Sequence, residues 1–254
     1  MMNILILSCY TFSMINEGHN ENQERNIELQ VVFGIPREIS RVKQTLYDLP
    51  RLKKLYGDVN GALNVLPDGI SESSSDHDVV ESVSAEFIDS MYEPFAVSIR
   101  EQQAIIGVEL QKLREISSFK IFDRYIVELT RYGTGGSYSS LDGKVWIKIW
   151  EGRTKASVIS TLVHEIIHVG INDLIEKHLN DKTDEKHHWY KERLVDLIGE
   201  KYFPGMRRMQ NLDREIIQTV DDIFRELFPD MEAIIKTLAN INQEQDTSPY
   251  HQQS

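Results

Sequence analysis

The pattern of apolar residues in the middle of the chain marks two strands, and in the second of them apolar residues recur at every second position. Phe122–Tyr132 (FDRYIVELTRY) and Lys144–Trp150 (KVWIKIW) therefore read as strands, with a glycine-rich turn at Gly133–Ser137 between them. Upstream, Ile27–Ile35 (IELQVVFGI) reads as a further strand closed by Pro36. The remaining apolar spacing is helical. Residues 37–56 predict a helix interrupted near Pro50, and residues 79–117 predict one or two helices broken at Pro94. Thr154 is a fitting N-cap for a long helix over 155–179. Further helices are expected at 187–202, ending near Pro204-Gly205, and at 211–227 and 230–241. Residues 15–27 and 180–186 read as polar loops, and the tail 243–254 (QEQDTSPYHQQS) as disordered. The expected fold class is α+β, mainly helical, with a small sheet preceding the long helix. The acidic, serine-rich segment Pro67–Asp78 reads as a linker. It divides an N-terminal region of unclear role, 1–80, from a main domain, 81–242.

The long helix is apolar almost all round. Val158, Ile159, Leu162, Val163, Ile166, Ile167, Val169 and Ile171 leave no polar face, so the helix is expected to be buried. Three polar residues interrupt that run: His164, Glu165 and His168. Histidines at i and i+4 lie about 40° apart around a helix and about 6 Å apart along it, so both rings can reach one metal ion. A buried carboxylate needs a proton or a cation. Glu165, beside the first histidine, can sit at the open position of such an ion and accept a proton from bound water.

Composition narrows the chemistry. The 254 residues suffice for one large domain or two small ones, and 41% hydrophobic with 27% charged residues is an ordinary globular balance. The net charge of −12 argues against a nucleic-acid partner. A single cysteine, Cys9, rules out an intramolecular disulfide and a cysteine metal cluster, so any site must use histidine and carboxylate. A disulfide-free chain suits a cytoplasmic setting. Ile4–Leu7 followed by Ser8 and Cys9 faintly resembles a lipoprotein cleavage box, but no Lys or Arg precedes Arg25, and a strand or frayed end is the expected reading. No run of about 18 apolar residues exists, so no membrane span is expected.

A catalytic zinc takes three protein ligands and keeps a fourth position for water. The third ligand must come from the next helix, which offers Glu192 or, one turn earlier on the same face, His188. Asp196, one turn beyond Glu192, favours Glu192, because it can accept the free ring N–H of a ligating histidine. Glu165-x-x-His168 and Glu185-x-x-His188 also satisfy the spacing of di-iron carboxylate bundles, but they lie only 20 residues apart.

His164-Glu165-Ile166-Ile167-His168 followed by Glu192-Arg193-Leu194-Val195-Asp196 resembles the HExxH and ExxxD motifs of the gluzincin zinc peptidases, the thermolysin-like group. The resemblance covers about residues 130–200. It implies a zincin-like fold, zinc (Zn2+) held by His164, His168 and Glu192, Glu165 as general base, and Asp196 orienting His164. It also implies a peptide or protein substrate, laid along a sheet edge expected at Lys144–Trp150. The chain departs from related patterns: no substrate-binding histidine segment follows Asp196, and the metzincin spacing fails at Gly170 and Leu174. Transition-state or substrate contacts therefore fall to His188 and Tyr190, with His187 and Tyr202 as further candidates. The alternative expectation is a non-catalytic protein that uses the same fold to bind metal or peptide.

Overall fold

Tyr125, Val127 and Leu129 alternate along β2 (Arg124–Thr130), and Val145 and Ile147 along β4 (Lys144–Lys148); all five are fully buried on one face of a sheet. The structure, a computed structural model, describes residues 27–57, 64–179, 185–203 and 212–246. The N-terminal apolar run with Cys9, residues 15–26 of the expected loop, 180–184 of the polar loop and 247–254 of the tail lie outside the described residues, while 243–246 of the expected disordered tail are helical.

Four strands form the sheet in the order β1-β2-β4-β3, with β1 at Glu28–Val32 and β3 at Gly136–Ser139. β1, β2 and β4 run parallel, while β3 is antiparallel to β4. Two expectations change here. The glycine-rich turn contains the start of a strand, β3, whose Gly-Ser-Tyr-Ser sequence lacks the apolar alternation that announces one. Consequently β4 is not an edge. The chain leaves β2, passes the place of β4, forms β3 and returns between them, so the edges of the sheet are β1 and β3.

α1 (Ile35–Tyr56) runs through Pro50 without the expected interruption. Its neighbours Leu49 and Leu52 are buried in a small second core, and that packing offsets the lost backbone bond. The expected linker is folded. Val65, Leu66 and Ile70 close the same small core, and Ser75 and Asp78 form a capping box at the start of α2 (Asp76–Glu86). Short acidic and serine-rich composition had masked three apolar anchors. α3 (Glu93–Lys112) carries Pro94 in its first turn, where a missing N–H costs nothing. Because β1 pairs with β2, the sheet joins residues on both sides of position 80.

Thr154 caps α4 (Lys155–His178) by accepting from Ser157 N at 3.1 Å, as expected. α4 lies against β3, β4, α3, α5 (Glu185–Tyr202) and α7 (Met231–Asp246), with α6 (Arg214–Leu227) packed on α5 and α7. By length and apolarity α4 could cross a membrane, but most of it is buried inside the fold. The protein is thus mainly helical with a small sheet, in keeping with the α+β class.

The second face of the sheet is polar and covered by α1. Glu128 and Thr130 of β2 stand in register with Trp146 and Lys148 of β4. Above them Arg37 donates to Glu128 at 2.7 Å, and Glu38 accepts from Thr130 Oγ1 at 2.6 Å and Tyr92 Oη at 2.5 Å.

Candidate metal centre

The helical spacing of His164 and His168 brings their rings to a centroid separation of 4.6 Å. Their Nε2 atoms are 3.0 Å apart. α5 supplies the third corner: Glu192 Oε2 lies 3.2 Å from His164 Nε2, and Oε1 lies 3.3 Å from His168 Nε2. All three residues are buried, and their ligand atoms lie within 4.8 Å of one another. Metal bonds of about 2.0–2.1 Å at tetrahedral angles separate neighbouring donor atoms by about 3.3 Å. The triangle therefore matches what one ion requires, and this group could hold a metal ion.

The electrostatics agree. Burial would raise the Glu192 carboxyl, but the two histidines outweigh it and hold it well below the usual range. Burial opposes protonation of His164, yet Asp196 and Glu192 lift its pKa to about 10. His168, held neutral chiefly by burial, drops to about 3. Asp196 Oδ1 stands 3.7 Å from His164 Nδ1, an ion-pair distance on the side of the ring away from the triangle. That is the placement of an orienting carboxylate.

Glu165 is buried on the same helix, and burial raises its pKa to about 7. Its carboxylate lies against Gly136 at the start of β3: a Cβ there would be 2.3 Å from Oε1. His188 Nδ1 is 4.0 Å from Glu192 Oε1, beside the triangle but not a corner of it. Tyr190 is 2% exposed in the main core, its ring 6.5 Å from that of His187. Tyr202 lies beside Phe228.

The tyrosine whose ring meets the histidines is one that periodicity did not single out. Tyr138 of β3 stacks on His168 at 5.2 Å with its planes 9° apart, and its hydroxyl lies 3.0 Å from Asn172 Oδ1 of α4. Lys191 Nζ stands 5.9 Å from the same ring. The only hint in the sequence is an aromatic residue within an otherwise small, polar turn.

No family model, curated protein or solved structure matches the chain. The geometry of the site stands alone as the basis for a functional reading.

Proposed function

We propose that the protein is a zinc-dependent peptidase. The observation that carries this reading is the buried triangle of His164, His168 and Glu192 with Glu165 one residue from its first corner. Two imidazoles and one carboxylate suit zinc, and three protein ligands leave a position for water. When bound, the metal would supply a water of lowered pKa near neutral pH.

The chain's own residues account for the rest. With the metal held by His164, His168 and Glu192, Glu165 would be placed to accept a proton from a water adding to the peptide carbonyl carbon and to deliver it to the amine nitrogen as the C–N bond breaks. Its burial raises its pKa above the usual carboxylate value and so favours its taking up a proton. Asp196 holds the His164 ring with its Nε2 toward Glu192. The free edge of β3 lies against α4, where an extended peptide could add as a further strand. Tyr138 would form a wall of that cleft, stacked on His168.

The test pairs metal analysis with turnover. The purified protein should hold about one zinc per chain. Glu165→Gln should keep zinc and fold while hydrolysis of a peptide library falls by about a hundredfold or more. His168→Ala should lose tight zinc binding. Absence of zinc after growth and titration with it would refute the reading. Zinc binding without hydrolysis in the parent would leave the non-catalytic binding protein.

A further inference from the structure

Three buried cations lie near the segment 133–136, whose last residue abuts Glu165. Arg41 of α1, Lys148 of β4 and Arg153 beyond β4 are 7%, 8% and 8% exposed. Arg41 and Arg153 reach the segment 133–136 with their side chains, whereas Lys148 meets it through its backbone N–H and turns its Nζ to Asn64 O at 2.8 Å. A Cβ on Gly133, which has φ +83°, would lie 2.5 Å from the Arg41 guanidinium. Lys148 N and Arg153 Nη1 both donate to Gly135 O, at 3.1 and 3.4 Å. Three residues on, Gly136 abuts Glu165. Three residues of chain span at most about 11 Å, so the Arg41 guanidinium and the Glu165 carboxylate meet the two ends of one short segment.

Buried cations call for opposite charge. Among the described residues no carboxylate lies at ion-pair distance from Arg41 or Arg153. Arg153 directs its donors to neutral oxygens, those of Lys148 O, Gly135 O, Ser157 O, Ser157 Oγ and Thr161 Oγ1. Burial lowers its pKa to about 10. Arg41 is the sharper case. Its Nε is sealed from solvent with no acceptor, and its guanidinium lies 5.4 Å over the Trp146 ring. The carboxylates that attract it from further away are Asp48, Glu165, Glu128 and Glu38. Each is engaged elsewhere: Asp48 accepts from Gln44, Glu128 from Arg37 and Trp146, and Glu38 from Tyr92, Thr130 and Arg131 N. Glu165 belongs to the metal centre.

We propose that Arg41 receives a carboxylate of the substrate in its guanidinium fork and so selects peptides bearing one within about three residues of the scissile bond. That the ligand is a peptide rests on the peptidase reading. The carboxylate has two sources, an Asp or Glu side chain or the peptide's own C-terminus.

The test is binding to zinc-loaded Glu165→Gln protein, read by fluorescence anisotropy. The probes are labelled octapeptide pools carrying Glu or Gln at one position, each with a free or an amidated C-terminus. A carboxylate should tighten binding by about tenfold, and adding Arg41→Met should abolish the difference. A preference for Glu over Gln among amidated pools assigns a side chain; a preference for free acids alone assigns the C-terminus. Equal binding of all pools, or none, overturns the proposal. So does a preference that survives Arg41→Met, since the carboxylate then sits on the metal. Should Arg41→Met fail to fold, Arg41→Lys decides in the same assay: it keeps the charge, loses the fork and should erode the preference, and an undiminished one overturns the proposal. Hydrolysis by the parent is scored separately. An Arg41-dependent preference without hydrolysis retains the anion site at Arg41 and fails the peptidase reading; hydrolysis without preference does the reverse.

Discussion

Gly136 governs whether Glu165 can occupy its place. Any side chain there would bring a Cβ to within 2.3 Å of the carboxylate oxygen and 2.7 Å of Thr161 Cγ2. Gly136→Ala must therefore push Glu165 aside or shift β3. Zinc content should be unchanged, because the ligands come from α4 and α5. Peptide hydrolysis should fall by about a hundredfold, the cost of displacing a proton-transfer group by about an ångström. Parental turnover in Gly136→Ala would mean that β3 yields and Glu165 keeps its place; an active Glu165→Gln would remove Glu165 from the mechanism. The residue also shows how far pattern reading reaches. His164, Glu165, His168, Glu192 and Asp196 were legible because helical spacing fixes which of them share a face. Gly136 and Tyr138 were not, because their roles depend on a neighbour that lies far away in sequence.

At the scale of elements, the site depends on how α5 is held against α4. Arg193, next to Glu192, is 2% exposed and ties α5 to α6 through Asp221, with bonds of 2.6 and 2.9 Å. It also reaches Glu200 at 3.2 Å within α5. Arg193→Met keeps the buried stem and removes these charge-assisted bonds. It should cost about 2 kcal/mol in urea unfolding, since Asp221 is partly exposed and can be rehydrated. Zinc affinity should weaken with it, because Glu192 rides on the same turn. If stability falls while zinc affinity stays at the parental value, α5 is positioned by its apolar contacts alone. The existence of both helices was plain from the sequence. Their mutual placement, with Glu192 turned toward the two histidines, was expected from the need for a third ligand and from the Asp196 partner, and again through the gluzincin resemblance.

For the whole molecule, burial of cations makes stability depend on alkaline pH. Burial, together with Arg41 and Arg153, lowers the Lys148 pKa from 10.5 to about 8. Between those values the unfolded chain binds more protons at this position than the folded one, so stability rises with pH there. Below about 8 the cost of the buried charge is present in full; by about 10.5 it is relieved. The stability of the parent relative to Lys148→Met should therefore increase as pH climbs from about 8 to 10, measured by urea unfolding of both proteins at each pH. A difference that stays flat would mean Lys148 titrates in the fold as it does in water. Chelation adds a second dependence. An ion bound only by the folded state stabilises it, so removing zinc should lower the Tm, and adding zinc back should raise it with concentration.

The sequence by itself determined what depends on near neighbours along the chain. It marked the buried α4 with its two histidines and glutamate, the Thr154 cap, the strands β2 and β4, and the pairing of Glu192 with Asp196 on one helical face. Local periodicity and capping chemistry report these because every participant lies within a turn or two. Only the tertiary structure decided which strands became the edges and what covered each face of the sheet. β3 took the edge beside α4 although its four residues carry no periodic signal. α1 closed over Glu128, Thr130, Trp146 and Lys148, which alternation alone would leave in water. That closure buried Arg41 against Gly133, a turn far along the chain from it. Long-range packing chooses among strand orders and helix placements that the same local pattern permits equally.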